Sequence, residues 1–200
     1  MRFRATSVAR ASGALVKYAL RAATLADVPS LRALIARSIR KLGAADYSSE
    51  QIERALESAF GVDTALIGDG TYFVATSGAG ELLACGGWSR RRTLFGSDAR
   101  ADRDESWLDP ATEPAKIRAF FVDPAHARSG LARAILERSE NEAIASGFSS
   151  FALMATLPGV AFYERCGYRA APAIVHSLPG GMPIRFVPMS KQAPGQLESG

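Results

Sequence analysis

Little cysteine, little histidine and no long apolar run mark this chain, and each shortage closes off a class of protein. Of its 200 residues two are cysteine and two are histidine. Cys85 and Cys166 lie far apart, without metal-ligand spacing and in apolar or glycine-rich settings. They read as buried free thiols of a reducing compartment, with a disulfide between them left open. No run approaches the roughly 18 apolar residues that a membrane helix needs. The expected location is therefore cytoplasmic, with no membrane partner. Phosphate and hydrolase signatures are missing too. There is no Gly-Lys-Ser/Thr of a P-loop, no Gly-x-Gly-x-x-Gly after a strand, no Gly-x-Ser-x-Gly and no His-Glu-x-x-His. Neither His126 nor His176 has a sequence partner, so no metal site is expected.

Acids are absent from the first 17 positions, where Arg2, Arg4, Arg10 and Lys17 are the only charges. Setting these four aside leaves 20 basic residues against 20 acidic ones, so the net charge of +4 belongs to the N-terminal stretch. A nucleic-acid footprint would place its basic excess on the folded domain; no nucleic-acid partner is expected. Residues 1–17 read as a basic, disordered arm, 18–190 as one domain and 191–200 as a flexible tail. A hydrophobic content of 48% with interspersed charges is that of a globular domain.

Within the domain, a strand at Tyr18 to Ala22 leads into a helix signalled by Thr24 and Asp27, with Val28, Leu31, Leu34, Ile35 and Ile39 at helical spacing. Ser48 with Gln51 opens a second helix. Tyr72 to Thr76 and Glu81 to Arg91 read as strands, with Gly86 and Gly87 marking a bulge or a close backbone approach. Residues 93–114 are irregular, and a loop of that length is usually functional or mobile. Ile117 to Val122 is a strand, Leu131 to about Ser146 a helix, and Phe151 to Met154 a short strand. A helix starting at Pro158 closes before Gly167, and two strands follow near Tyr168 to Val175 and Ile184 to Met189. The pattern predicts an α/β (α+β) fold: a mixed, mainly antiparallel central sheet of about seven strands flanked by about four helices.

The most informative stretch joins the strand 117–122 to the helix beginning at Leu131, through Asp123-Pro124-Ala125-His126-Ala127-Arg128-Ser129-Gly130. A glycine at a helix start lets an anion approach unpaired backbone N–H groups at the positive end of the dipole. About thirty residues on comes a second signal, Phe162-Tyr163-Glu164-Arg165-Cys166-Gly167-Tyr168.

Together, in this order, these two segments resemble the Gcn5-related N-acetyltransferase (GNAT) superfamily over about Tyr18 to Met189. In that family a Val-x-Pro strand end leads into an Arg/Gln-x-x-Gly-x-Gly/Ala loop that wraps the pyrophosphate of acetyl-CoA. Ala127 to Ala132 matches at Gly130 and Ala132, whereas Ala127 stands where Arg or Gln is usual. The resemblance implies that Arg128, Ser129, Gly130, Leu131 and Ala132 hold the pyrophosphate. It also implies that the backbone of Phe120, Phe121 and Val122 pairs with the pantetheine arm, with an N–H facing the thioester carbonyl. Thr156 stands where the family often has a cofactor-contacting Asn, and Tyr163 is implied as the acid that protonates the departing thiolate.

The function so implied is an acyl-CoA-dependent N-acyltransferase moving acetyl from acetyl-CoA to a primary amine by direct attack in a ternary complex. A non-catalytic acyl-CoA-binding or sensor module of the same fold is the alternative. The partner is then a small-molecule or peptide amine, and homodimerisation stays open. The family's frequent glutamate on the strand before the loop is replaced here by Lys116, Ile117, Arg118 and Ala119. The general base is therefore sought among Asp104, Glu105, Asp109 and Glu113, or in water. The segment Cys85 to Arg92, on the strand and loop that would border the acceptor side, either recognises an acidic acceptor or holds a core tryptophan beside solvated arginines.

Overall fold

Alternation along buried strands decides the layering. In the computed structural model, which describes residues 6–11, 14–99 and 104–195, the strand β3 (Tyr72–Thr76) is buried on both faces. Phe73 and Ala75 point into one core cluster, Tyr72 and Val74 into another. The sheet therefore separates two apolar layers. Before β3 come the strands β1 (Thr6–Ala11) and β2 (Ala14–Ala22) and the helices α1 (Val28–Leu42) and α2 (Ser49–Leu56). A short helix α3 (Thr64–Gly68) leads into it. After it come β4 (Leu82–Ser89), β5 (Ala115–Val122), α4 (Leu131–Ala145), β6 (Ser150–Thr156) and α5 (Val160–Arg165). The chain closes with β7 (Arg169–Ala170), β8 (Ile174–Ser177) and β9 (Pro183–Gln192).

Among the described residues the sheet has nine strands in the order β1-β2-β3-β4-β5-β6-β9-β7, with β8 also paired to β9. All pairings are antiparallel except β5 with β6. The expected mixed, mainly antiparallel sheet with helices on its faces is what forms. α4 buries Leu131, Ile135, Leu136 and Ala143 on one face, while α1 buries Leu31, Leu34, Ile35 and Ile39 on the other. The expected helix starts are made by local chemistry. Ser48 and Gln51 exchange backbone and side-chain hydrogen bonds of 2.9 and 3.1 Å, and the Thr24 N–H donates to Asp27 at 2.8 Å.

Two differences from the sequence reading concern the sheet edges. Residues expected in a disordered arm pair as strands, with Thr6 opposite Ala19 and Ala11 opposite Ala14; residues 1–5 and 12–13 lie outside the described set. At the other end, β9 runs through Lys191 and Gln192, and residues 196–200 of the expected tail also lie outside it. The backbone ladder, which is indifferent to side-chain polarity, supplies the pairing in both places. The strand expected over Tyr168 to Val175 is divided into β7 and β8, both meeting β9.

Candidate active site

Two strand irregularities make the site. The first lies between β4 and β5. Cys85 opposes Phe121 and Gly87 opposes Arg118, so Ala119 and Phe120 together face Gly86. The expected bulge is thus present, and Ala119 takes a left-handed φ of +56° to make it. Its carbonyl accepts from the Tyr72 hydroxyl at 3.1 Å. Gly86 is required here because a Cβ would come within 2.7 Å of the Phe120 ring. The second irregularity is the parting of β5 from β6, which pair only at Ala115–Phe151 and Lys116–Ala152. Beyond those positions the facing edge of β5 is open. Because Phe121 opposes Cys85 and the Asp123 N–H donates to the Leu83 carbonyl, strand alternation turns the Phe120 amide towards that open edge.

A cavity of about 1000 Å³ occupies the gap. It touches Tyr163, Leu131 and Ala155 of one core layer and Phe60, Phe186 and Ile39 of the other, so it passes through the parted sheet. The expected site residues Phe120, Phe121, Val122, Arg128, Ser129, Gly130, Leu131, Ala132, Thr156 and Tyr163 all line it. They do not contribute alike. Phe121 has its backbone in register with β4 and packs its ring edge-on against Phe60 at 6.2 Å. The Val122 N–H is taken by the Ser38 hydroxyl at 3.3 Å. Phe120 is left with its amide on the open edge.

At one end of the cavity, the loop into α4 adopts left-handed φ at Arg128 (+61°) and at Gly130 (+88°), a concavity that aims successive amides inward. Ser129 is buried and donates to the His126 carbonyl at 2.6 Å, which fixes the turn rather than leaving its hydroxyl for a ligand. Asp123 caps the turn by accepting from the Ala125 N–H at 3.0 Å, and Arg37 of α1 pairs with it at 2.9 Å. Leu131 is fully buried, so what it can turn to the cavity is its backbone N–H at the first helical position. Arg128 is exposed and forms no ion pair among the described residues.

Tyr163 sits mid-cavity on α5, 8% exposed, between the rings of Phe120 and Tyr168 at 6.3 and 5.6 Å. Burial, reinforced by the neighbouring Cys166 thiol, pushes its phenol well above the usual tyrosine range. It stays protonated at any physiological pH, and a protonated phenol is a donor. Thr156 ends β6 at the cavity wall.

Several sequence candidates lie elsewhere. None of Asp104, Glu105, Asp109 and Glu113 lines the cavity. Asp104 accepts from the Ser106 hydroxyl and N–H, Asp109 from the Ala111 N–H, and Glu113 pairs with Arg92. Arg91 pairs with Asp69 at 2.8 Å and lies within 3.9 Å of Glu105. Trp88 is 1% exposed against Phe148, which makes it a core tryptophan; no residue from 88 to 92 reaches the cavity. Cys85 and Cys166 are free, the first buried and the second half-buried. Burial pushes the Cys85 thiol up to about 12. Among the described residues no cluster of side chains could hold a metal ion, and no helix is long and apolar enough to cross a membrane.

Comparison with known proteins bears on the same segments. Residues 36–168 match the model of the "Acetyltransferase (GNAT) family". The chain belongs to the GNAT family. That membership supports an acetyltransferase activity. A search of curated proteins returns no significant match. Among solved structures, the GNAT protein is similar to a GCN5-related N-acetyltransferase from Rhodopseudomonas palustris (TM-score 0.64, 18% identity, 96% of this chain and 99% of that one). It is also similar to the PaiA N-acetyltransferase from Thermoplasma acidophilum in complex with coenzyme A (TM-score 0.58, 14%, 88% and 98%). A third is the acetyltransferase YncA from Salmonella typhimurium with acetyl-CoA (TM-score 0.58, 14%, 90% and 96%). At these identities the likeness is one of fold.

Sequence reasoning missed residues that line the GNAT cavity or brace the segments around it. Ser38 is a buried hydroxyl within the apolar face of α1. Tyr47 donates to the Arg185 carbonyl and accepts from the Leu157 N–H, tying the loop after α1 to the ends of β6 and β9. Phe60, Phe95 and Phe186 come from three distant segments. A serine at an i+3 position from Ile35 was the only visible signal among these.

Proposed function

We propose that this GNAT protein transfers the acetyl group of acetyl-CoA to a primary amine by direct attack in a ternary complex. The observation that carries the reading is the meeting, in one cavity, of the free amides of α4, the open edge of β5 and the buried phenol of Tyr163. The residues suit acetyl-CoA: anionic phosphate at the α4 amides with Arg128 beside them, and an extended amide-bearing chain along the open strand edge. When bound, acetyl-CoA supplies the activated thioester carbon.

The chain's part is to hold and polarise. The Phe120 amide donates to the carbonyl oxygen as negative charge develops on it, an effect typically worth about 2.7–4 kcal/mol per donor. The amine nitrogen forms the new C–N bond, and the C–S bond breaks. Tyr163 gives its proton to the departing sulfur and recovers one from solvent. The proton lost by the amine passes to water, because no carboxylate lines the cavity among the described residues.

Release of free thiol from acetyl-CoA across a panel of amines tests the reading. Tyr163→Phe is expected to lower kcat about a hundredfold or more while the acetyl-CoA Kd stays within about twofold. Unchanged turnover would remove the acid role. Acetyl-CoA binding with no turnover of any amine would instead assign a non-catalytic acyl-CoA-binding module.

A further inference from the structure

The cavity's other end is built of rings. Phe60 meets Phe186 edge-on at 6.0 Å and Phe121 at 6.2 Å, and Phe95 lies 5.5 Å from Phe186. Met154 packs in the same cluster as these rings, and Leu42 and Leu94 also line the cavity. Among the described lining residues charge is scarce there. Arg118 reaches the wall from β5, but its guanidinium is 2% exposed, 2.6 Å from the fully buried Asp63, and it donates to the Gly96 carbonyl at 2.7 Å. That pair holds the 94–96 segment in place against β5. The remaining lining cations, Arg128, Arg133 and Arg165, belong to the α4 and α5 side.

This combination selects by charge and by apolar area. Apolar surroundings disfavour an ammonium and favour its neutral form, the form that attacks a thioester. A second positive charge on the acceptor would enter an apolar pocket without a described carboxylate to meet it, a large desolvation cost. A bulky hydrocarbon group gains burial against four phenylalanine rings.

We infer that the acceptor is a primary monoamine carrying a bulky apolar group, aromatic or branched aliphatic, seated among Phe60, Phe95, Phe121 and Phe186. The inference rests on the acetyl-transfer reading above and names the substrate class of the same site. The reaction is the one already balanced: the C–N bond forms, the C–S bond breaks, and the amine proton goes to water.

Steady-state thiol release with saturating acetyl-CoA, using phenethylamine and 3-methylbutylamine against spermidine and lysine, tests it. The apolar monoamines should give kcat/KM at least about tenfold above the charged pair. Phe95→Ala should raise the phenethylamine KM about tenfold, the loss expected from part of one ring's burial. Phe95→Leu should recover part of that loss, and both variants should leave the acetyl-CoA KM unchanged. Three results would overturn the inference: spermidine or lysine turned over best, no amine of the panel turned over, or Phe95→Ala shifting every amine alike. Loss of acetyl-CoA binding by the wild type, read by thermal shift, would instead remove the reading beneath it.

Discussion

Ala119 occupies a backbone region that an L-residue enters at a cost of about 1–2 kcal/mol, and it does so at the bulge that frees the Phe120 amide. Tyr72 compensates by donating to its carbonyl. Ala119→Gly should therefore raise stability slightly, by about 0.5 kcal/mol, since relief of the left-handed strain outweighs the added chain entropy. Ala119→Val, with a branched side chain at positive φ, should lower it by at least about 1 kcal/mol; thermal denaturation reads both. Gly130 and Tyr163 were legible because their signals are local: a glycine before a helical run, and a tyrosine one turn before a helix-ending glycine. Phe60, Phe95 and Phe186 were not. Each is an ordinary apolar residue until the fold gathers three separate segments, and sequence periodicity holds no record of that meeting. Arg118 was visible only as a missing glutamate; its burial against Asp63 depends on α3, a five-residue helix too short to leave a periodic trace.

At the scale of elements, caps and turns fix where helices begin, and one of them carries a pH dependence. Asp27 accepts two hydrogen bonds of 2.7 Å from Arg21 of β2 as well as bonds from Thr24. The Arg21 bonds come first among the causes that hold its carboxyl down to about 2. A carboxylate with a depressed folded pKa stabilises the fold above its unfolded value, near 3.9, and loses that contribution as pH falls through the folded one. Asp27→Asn should therefore lower Tm at neutral pH and flatten its decline between about pH 4 and 2; a parallel decline in variant and wild type would contradict the assignment. β3 and β4 were readable because both faces are buried, and β6 because buried and half-buried residues alternate along it. The edges were not. β7 and β8 are almost wholly exposed, so nothing in their side chains announces that the backbone pairs there.

For the molecule as a whole, the described sheet parts between β5 and β6, and the cavity lies in that parting. Two apolar layers close the sheet's faces, and the parting joins an amide-lined end beneath α4 to a ring-lined end near α1 and α2. The order of strands and helices, and the strand–loop–helix at its centre, carried the GNAT resemblance from sequence alone; the depth of the cavity and the nature of its far wall required the packed structure. The central claim is that acetyl-CoA binds through the loop shaped by Gly130. Isothermal titration of acetyl-CoA into the wild type and into Gly130→Val measures it without knowledge of the acceptor. Valine cannot readily adopt the +88° φ found there. The account predicts one site in the wild type and at least about a tenfold weaker affinity in a variant that still unfolds cooperatively. No binding by the wild type, or equal affinity in the two proteins, would contradict it.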